Sequence, residues 1–555
     1  MASIKGKLQS GALQIAWNVV AVAAFVLLIV SSARVVGFVL AAVAAAGIAL
    51  RARSDVGGTV TAQAFLTAGL VADYARHTDG QALPLSLAGA LLALLIIDMP
   101  IFAKIIDRDL PVAANLPGYA PASTIAVPEP ILYSLSVLWI AVLGVFAAAE
   151  LPAWPVVVTS AIGLAVAGVC AAQALRARLR GGRTDPRLRA ALERHGAAFA
   201  LYFSAPDDTE YHVEMWRPYL ERADLPWMVI AREPRPFAKL SRMLAATAIP
   251  VVYCPMIDDI DIAVTPGLGA VFYVNNGMKN THMVRFHHLT HVQLLHGDSD
   301  KASSYNPVTA MFNKIFVAGQ AAIDRYAANG VLIPAQKFEI VGRPQVEAIR
   351  VSHAPISEVV NKVVLYATTW VSHYDDANYS SLRIGEKIVT ALLERGVTVI
   401  LRPHPYTDRH AASARTVARL QQILAEDRTR TGRPHVFGTA ATRPSLFECI
   451  NHADAMISDV SGVASDFLYS GKPFALTDML GLGRDGFADA FPLSQAAYQL
   501  AADAGNVGEV LDDLLAKDPL TERRREAKAY YLGEFDDYAY ADHFLAAVRA
   551  ATGRH

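Results

Sequence analysis

Four short stretches of this chain set proton-transfer, cationic and hydroxyl side chains beside apolar runs of strand length. The first, QLLHGDSDK, ends an apolar run at His296 and Gly297 and brings Lys301 five residues after the histidine. Imidazole is the side chain best suited to moving protons near neutral pH, and a glycine after it permits a tight turn that projects the ring. Read alone, the pair also fits a satisfied structural histidine, and Lys301 also fits a solvated loop lysine. The second stretch, LYATTW, places Thr368 and Thr369 just past another run, where hydroxyls and backbone N–H groups suit a phosphate or ribose, or an ordinary helix cap. The third, LRPHP, presents Arg402 and His404 from a backbone stiffened by prolines. A guanidinium there neutralises phosphate oxygens, and an imidazole donates to one.

The fourth stretch, AMISDVSGVASDFLYSGKP, is the densest. Ser458, Asp459, Ser461, Gly462, Ser465 and Asp466 crowd the junction between an apolar strand and a core-facing helix. The first turn of such a helix has unpaired N–H groups and the positive end of the dipole, so Ser461 and Gly462 stand where an anion approaches. Ser465 lies one turn on, on the same face. Asp459 and Asp466 repel phosphate, so they are expected to hold polyol hydroxyls or the helix cap. A simple N-cap explains one serine of this set, not all of them.

These stretches must be positioned by an alternating α/β scaffold. From about residue 193, short β-branched or aromatic runs (AAFALYFS, LPWMVIA, IPVVYCP, LGAVFYVN, HVQLLHG, KIFVAG, FEIVG) alternate with helical segments such as HVEMWRPYLERA. A second series runs through KVVLYAT, SLRIGEKIVTALLERG, VTVILRPHP, PHVFGT, PSLFECINHA and AMISD. The expected organisation is two Rossmann-like doubly wound domains, 193–350 and 351–555, with ligands outside the carboxyl ends of the strands.

The bulk numbers narrow the classes. At 555 residues the chain exceeds a single core, and 50 Lys+Arg against 51 Asp+Glu give no sign of nucleic-acid binding. Cys170, Cys254 and Cys449 have neither metal-ligand nor disulfide spacing. The apolar excess lies almost wholly before residue 176, as segments 12–30, 35–50, 83–102, 131–149 and 154–175, with a weaker one at 59–72. Arg176, Arg178, Arg180, Arg183, Arg187 and Arg189 follow the last, and the positive-inside rule makes them cytoplasmic. Counting back, six spans also put Lys104, Arg108, Arg51, Arg53, Lys5 and Lys7 inside and leave only Arg34 and Arg76 outside. The expected layout is a transmembrane helical region of about six spans at 1–175, an Arg-rich cytoplasmic linker at 176–192, and a cytoplasmic α/β part on a multi-pass cell-membrane protein.

In order, the HGDSDK, GRP, YATTW, RPHP and SDVSGVASDF…GKP elements resemble the CDP-glycerol glycerophosphotransferase family, the teichoic-acid primases and polymerases, over roughly residues 280–480. The resemblance implies a GT-B architecture, with an acceptor domain at 193–350 and a donor-nucleotide domain at 351–555. It implies no metal and no cofactor. It implies transfer of glycerol phosphate, or a related polyol phosphate, from a CDP-activated donor to a hydroxyl of a lipid-linked glycopolymer acceptor, releasing CMP. By matching position, His296 is the expected base, His404 the second essential histidine, Ser461 and its turn the donor-phosphate site, and Asp466 a neighbour of the polyol. The chain departs from the family pattern at Ser461–Gly462, where two hydroxyls are usual, at Val371, where a basic residue is common, and in its membrane half. Two other readings use the same features: a GT-B sugar-nucleotide enzyme (a glycosyltransferase or epimerase relative), and a membrane scaffold that binds nucleotide without turnover.

Overall fold

The computed structural model describes residues 2–51, 59–106, 110–121, 129–180, 185–205, 207–371 and 378–553. Arg53, Arg108 and Arg183 lie outside the described residues, as do the side chains of Lys5, Lys7, Arg51, Arg178 and Arg180. The chain divides into two compact units, Met1–Pro111 with Ala120–Leu188 and Val112–Tyr119 with Arg189–His555.

The first unit is helical: α1 (Ala2–Ile29), α2 (Arg34–Arg51), α3 (Val60–His77), α4 (Ala82–Ile106), α5 (Glu129–Ala148) and α6 (Trp154–Arg180). Among the described residues, Ala82–Ile105, Ile131–Ala148 and Trp154–Arg176 are long and apolar enough to cross a membrane, while Leu13–Ile29 and Arg34–Leu50 are shorter apolar helices. Their outward positions, Ile97, Ile101, Val145 and Val169 among them, are exposed and apolar, a surface that suits hydrocarbon rather than water. Polar contacts concentrate at one set of helix ends. Arg34, at the start of α2, meets Asp73 near the end of α3 at 3.0 and 3.2 Å and Glu150 just after α5 at 2.8 Å. Gln81 before α4 accepts from the amide of Ala153 before α6 at 3.2 Å. Helices that alternate up and down bring these ends together. Arg34, one of the two charges left over by the positive-inside count, is therefore paired rather than isolated.

The second unit carries two sheets. The larger contains β1 (Val112–Ala114), β2 (Phe199–Phe203), β3 (Trp227–Ala231), β4 (Val251–Tyr253), β5 (Ala270–Tyr273), β6 (Thr290–Gln293), β7 (Lys314–Val317) and β8 (Phe338–Ile340). Its order is β1-β4-β3-β2-β5-β6-β7-β8, parallel except for β1, which runs antiparallel on β4. The smaller contains β9 (Val363–Thr368), β10 (Thr398–Pro403), β11 (Ala455–Ser458), β12 (Phe474–Asp478) and β13 (Tyr498–Ala501), all parallel, in the order β10-β9-β11-β12-β13. Both orders reverse direction beside their first parallel strand, between β2 and β5 and between β9 and β11. Such a crevice is where doubly wound sheets bind ligands.

Period-two alternation builds the core of the smaller sheet. Leu365 and Ala367 face one cluster, and Val364 and Tyr366 the other. The last helix, Tyr540–Thr552, returns to the first sheet and buries Phe544, Leu545 and Val548 in its core. Gly269 admits it: a Cβ there would stand 2.3 Å from the Thr552 carbonyl oxygen. One expected strand is corrected. PHVFGT makes only a single bridge, Val436 to Ile400, because the buried imidazole of His435 takes the Val399 amide at 3.0 Å.

The two sheets are tied by buried ion pairs. Arg343, just after β8, grips Asp466 of the helix Gly462–Phe467 with two hydrogen bonds, one of them 3.1 Å long. Asp300, beyond β6, accepts from Arg325 at 3.0 Å, from the Leu493 amide at 3.1 Å and from the Tyr531 hydroxyl at 3.1 Å. Removing one member of a buried pair strands the other charge, whereas replacing both with apolar groups removes the desolvation penalty as well. Arg343→Met should therefore lower the stability of the unit by about 3–5 kcal/mol, and adding Asp466→Leu should restore most of it. Thermal melts of the single and double variants check this; additive losses would contradict it.

Candidate active site

Thr368 closes β9, and His296, His404 and Ser461 follow the carboxyl ends of β6, β10 and β11; the two lobes bring these strand ends together. Lys301 Nζ, from the first lobe, lies 3.5 Å from Thr369 Oγ1 and 5.0 Å from the centre of the Tyr379 ring. The backbone oxygen of Asp298 lies 3.2 Å from where a Cβ on Gly462 would be. Gly462 thus eases the close approach of the two loops, whatever it also leaves open to an anion.

His296 is exposed at its loop, and its Nδ1 lies 3.0 Å from the carbonyl oxygen of Val274, at the end of β5. A carbonyl only accepts, so Nδ1 carries the proton and Nε2 of the neutral ring holds a lone pair. Desolvation in the cleft holds this histidine below its ordinary pKa; the Val274 bond opposes the shift and Arg343 adds to it. A neutral ring with a free Nε2 is the form a general base requires. The tight turn expected at Gly297 is corrected. Leu295 is the residue in the left-handed region, at φ 56°, a costly conformation for a branched side chain. A Cβ on Gly297 would meet nothing within 4 Å among the described residues.

His404 has the opposite tautomer. Its Nδ1 accepts from the Tyr406 amide at 3.0 Å, so the proton of the neutral ring sits on Nε2, available as a donor. Desolvation first, then the charges of Lys301 and Arg409, lower its pKa to about 4. Lys301 is itself pushed down by desolvation, with Asp459 opposing.

At the fourth stretch the structure separates scaffold from site. The Asp459 carboxylate, fully buried, accepts from the Thr369 amide at 2.6 Å, the Ser381 amide at 3.1 Å and the Thr477 hydroxyl at 2.8 Å. Burial raises its pKa to about 6 against those donors. Ser458 donates to the Ala367 carbonyl at 2.9 Å. These two fasten the loops after β9 and β11 to each other, so both side chains are already committed to protein partners. Asp466 is likewise turned to Arg343, and Arg402 directs Nη1 to the carbonyls of Ala441 and Pro444, the latter at 2.8 Å. Ser461 is the extended residue before the helix Gly462–Phe467 and makes no side-chain cap bond there. The hydroxyls of Ser465 and Thr368 are buried without a partner among the described residues. Asp207, Asp208 and Glu210 form an acidic group, but Lys239 Nζ lies 2.6, 2.5 and 3.9 Å from them, Arg235 lies 3.6 Å from Asp207 and Arg409 3.2 Å from Asp208, so three cations already offset their charge.

Sequence reasoning missed Arg343 and His212. Arg343 stands in the GRP element, but only the fold gives it Asp466 as a partner. His212 opens the helix Tyr211–Glu221 and stacks on His296, with ring centres 3.8 Å apart and planes at 10°. Its position in a helical segment gave no signal of that contact.

Residues 347–478 match the family model described as CDP-Glycerol:Poly(glycerophosphate) glycerophosphotransferase. No curated protein matches the chain. Similar solved structures include the wall teichoic acid polymerase TagF (TM-score 0.40, 11% identity, 66% of this chain and 93% of that one). A glycosyltransferase from Rickettsia africae is comparable (0.40, 10%, 64% and 98%). So is an Anabaena protein in complex with UDP and glucose (0.40, 12%, 64% and 100%).

The lowered pKa of His404 has a stability consequence of definite sign. Unfolded histidine takes a proton near pH 6.5, whereas folded His404 stays neutral down to about 4. The unfolded state therefore binds more protons in that window, and stability falls as pH drops from about 6.5 towards 4. His404→Gln keeps an acceptor for Tyr406 but does not titrate. Melting temperatures at pH 7 and pH 5 should differ less for the variant than for the parent; an equal difference would mean that His404 titrates normally in the fold.

Proposed function

We propose, from the match of residues 347–478 to the CDP-glycerol:poly(glycerophosphate) glycerophosphotransferase family model, that this protein joins a CDP-activated glycerol phosphate, or a related polyol phosphate, to a hydroxyl of a lipid-linked glycopolymer precursor. Glycerophosphate transfer is the family's reaction; the acceptor and the membrane setting are our reading. The acceptor oxygen attacks the phosphorus that bears the polyol, its proton passes to His296 Nε2, and CMP leaves. His404 Nε2–H donates to a phosphoryl oxygen, and Lys301 balances developing charge beside it. Ser461, its hydroxyl uncommitted to a cap, and the amides after it receive the donor diphosphate, with Thr368, Thr369 and Ser465 near it. The observation that carries this assignment is the pair of opposed tautomers, one ring ready to accept a proton and the other ready to donate.

We assign acceptor binding to the lobe at 193–350 and donor binding to the lobe at 351–555. We also read α1–α6 as crossing a cell membrane, with the α/β unit in the cytoplasm. Supporting this topology, the connection between α4 and α5 supplies β1 to the sheet of the α/β unit. Residues 112–119 and 189–555 then share a side of the bilayer, and α5 with α6 cross it and return.

The test is product analysis by mass spectrometry with the purified protein in lipid, offered CDP-glycerol, CDP-ribitol and UDP-sugars. CMP release with a polyol phosphate added to the acceptor is expected. His296→Asn should lower kcat roughly 10²–10⁴-fold while donor affinity is retained. Turnover of a UDP-sugar with CDP-donors inert would favour the glycosyltransferase reading, and donor binding without any product would favour a scaffold.

A further inference from the structure

The helix Tyr211–Glu221 lies in the first lobe, outside the four stretches and outside the residues matched by the family model. It nevertheless touches the loop of the base twice. Trp216 Nε1 donates to the carbonyl of Leu295 at 2.8 Å. His212, one turn earlier on the same face, lays its ring flat against His296 at 3.8 Å. Between those contacts sits Leu295 in its left-handed conformation, which persists only where the surroundings over-determine it. A hydrogen bond on one side and a ring stack on the other supply that determination.

The chemistry of His212 argues for its face rather than its nitrogens. The residue is buried, and its Nδ1 has no partner among the described residues. Burial first, then His296, lowers its pKa to about 3. A ring that stays neutral offers an uncharged π face to a neighbour that gains charge. When His296 takes the acceptor's proton it becomes an imidazolium, and a cation over an aromatic face is attracted, more strongly where water is excluded.

We propose that His212 is a positioning residue for transfer: its ring, with Trp216 one turn on, holds His296 against the Val274 carbonyl and supports the imidazolium formed on it. This rests on the reading of His296 as the base. The charged group that acts on His296 is Arg343, and it remains in every variant below.

The experiment is steady-state CMP release by the full-length protein in lipid, with CDP-glycerol as donor, for His212→Ala, His212→Phe, His212→Gln, Trp216→Phe and His296→Asn, each first checked by thermal melting. His212→Phe keeps a flat ring without nitrogens and should hold kcat within about fivefold of the parent. His212→Ala should lower kcat by on the order of ten- to a hundredfold, since misplacing a reacting group costs that much, with donor KM unchanged. Its acid limb in kcat/KM should move to lower pH, because the imidazolium of His296 loses the ring face that supports it. Trp216→Phe should lower kcat in the same direction with donor KM unchanged. Rescue by Gln but not Phe, with a raised acceptor KM, would overturn the proposal in favour of a hydrogen bond from His212 to the acceptor. Parent-like kcat and pH profile in His212→Ala would overturn it outright. Parent-like turnover in His296→Asn would instead remove the base itself, a failure of the proposed function that the His212 variants do not mimic.

Discussion

Two backbone contacts set the chemistry of this site. The Val274 carbonyl fixes the proton of His296 on Nδ1, and the Tyr406 amide denies His404 a proton on Nδ1. Each ring then presents its Nε2 in one defined form, an acceptor on the first lobe and a donor on the second. Neither contact involves a carboxylate partner; desolvation outweighs the pull of the Val274 carbonyl on His296 and lowers both rings' pKa values. The remaining structure holds those two carbonyl and amide groups where they are. The end of β5 supplies one, and the proline-flanked turn after β10 supplies the other.

Holding them in register requires the lobes to meet, and that requirement explains the polar density beneath the site. Asp459 joins the loops after β9 and β11 through three donors, and Arg343 joins the end of β8 to the helix that follows β11. These are costly groups to bury and are tolerated only when paired. They help determine how close the Asp298 backbone comes to Gly462.

Much of this could be read from residues alone. Strict alternation of apolar runs with amphipathic segments gave the parallel α/β pattern, and ten of the strands fall on runs that hydrophobicity picks out. Strand ends then pointed to His296, Lys301, Thr368, His404 and Ser461, since chemistry in doubly wound sheets gathers there. What stayed hidden is non-local. β1 is a three-residue segment in a connection between helices, recognisable only by its pairing with β4. β13 is half-exposed and short. The type of Asp459 or Asp466 does not disclose whether its carboxylate faces a ligand or a buried partner, because the partners lie far away in sequence: 90 residues to Thr369 for Asp459 and 123 to Arg343 for Asp466. Gly297 suggested a tight turn after the histidine, while the left-handed residue is Leu295, one residue before it.

The central claim, that the two histidines are neutral with opposite tautomers, is open to direct measurement. Nitrogen NMR of the protein labelled with ¹⁵N at histidine, in lipid at neutral pH, reads the protonation of each ring nitrogen, and His296→Asn and His404→Gln assign the signals. The account predicts a protonated Nδ1 with a bare Nε2 for His296, and a bare Nδ1 with a protonated Nε2 for His404. A charged His296, or the same tautomer at both positions, would contradict it.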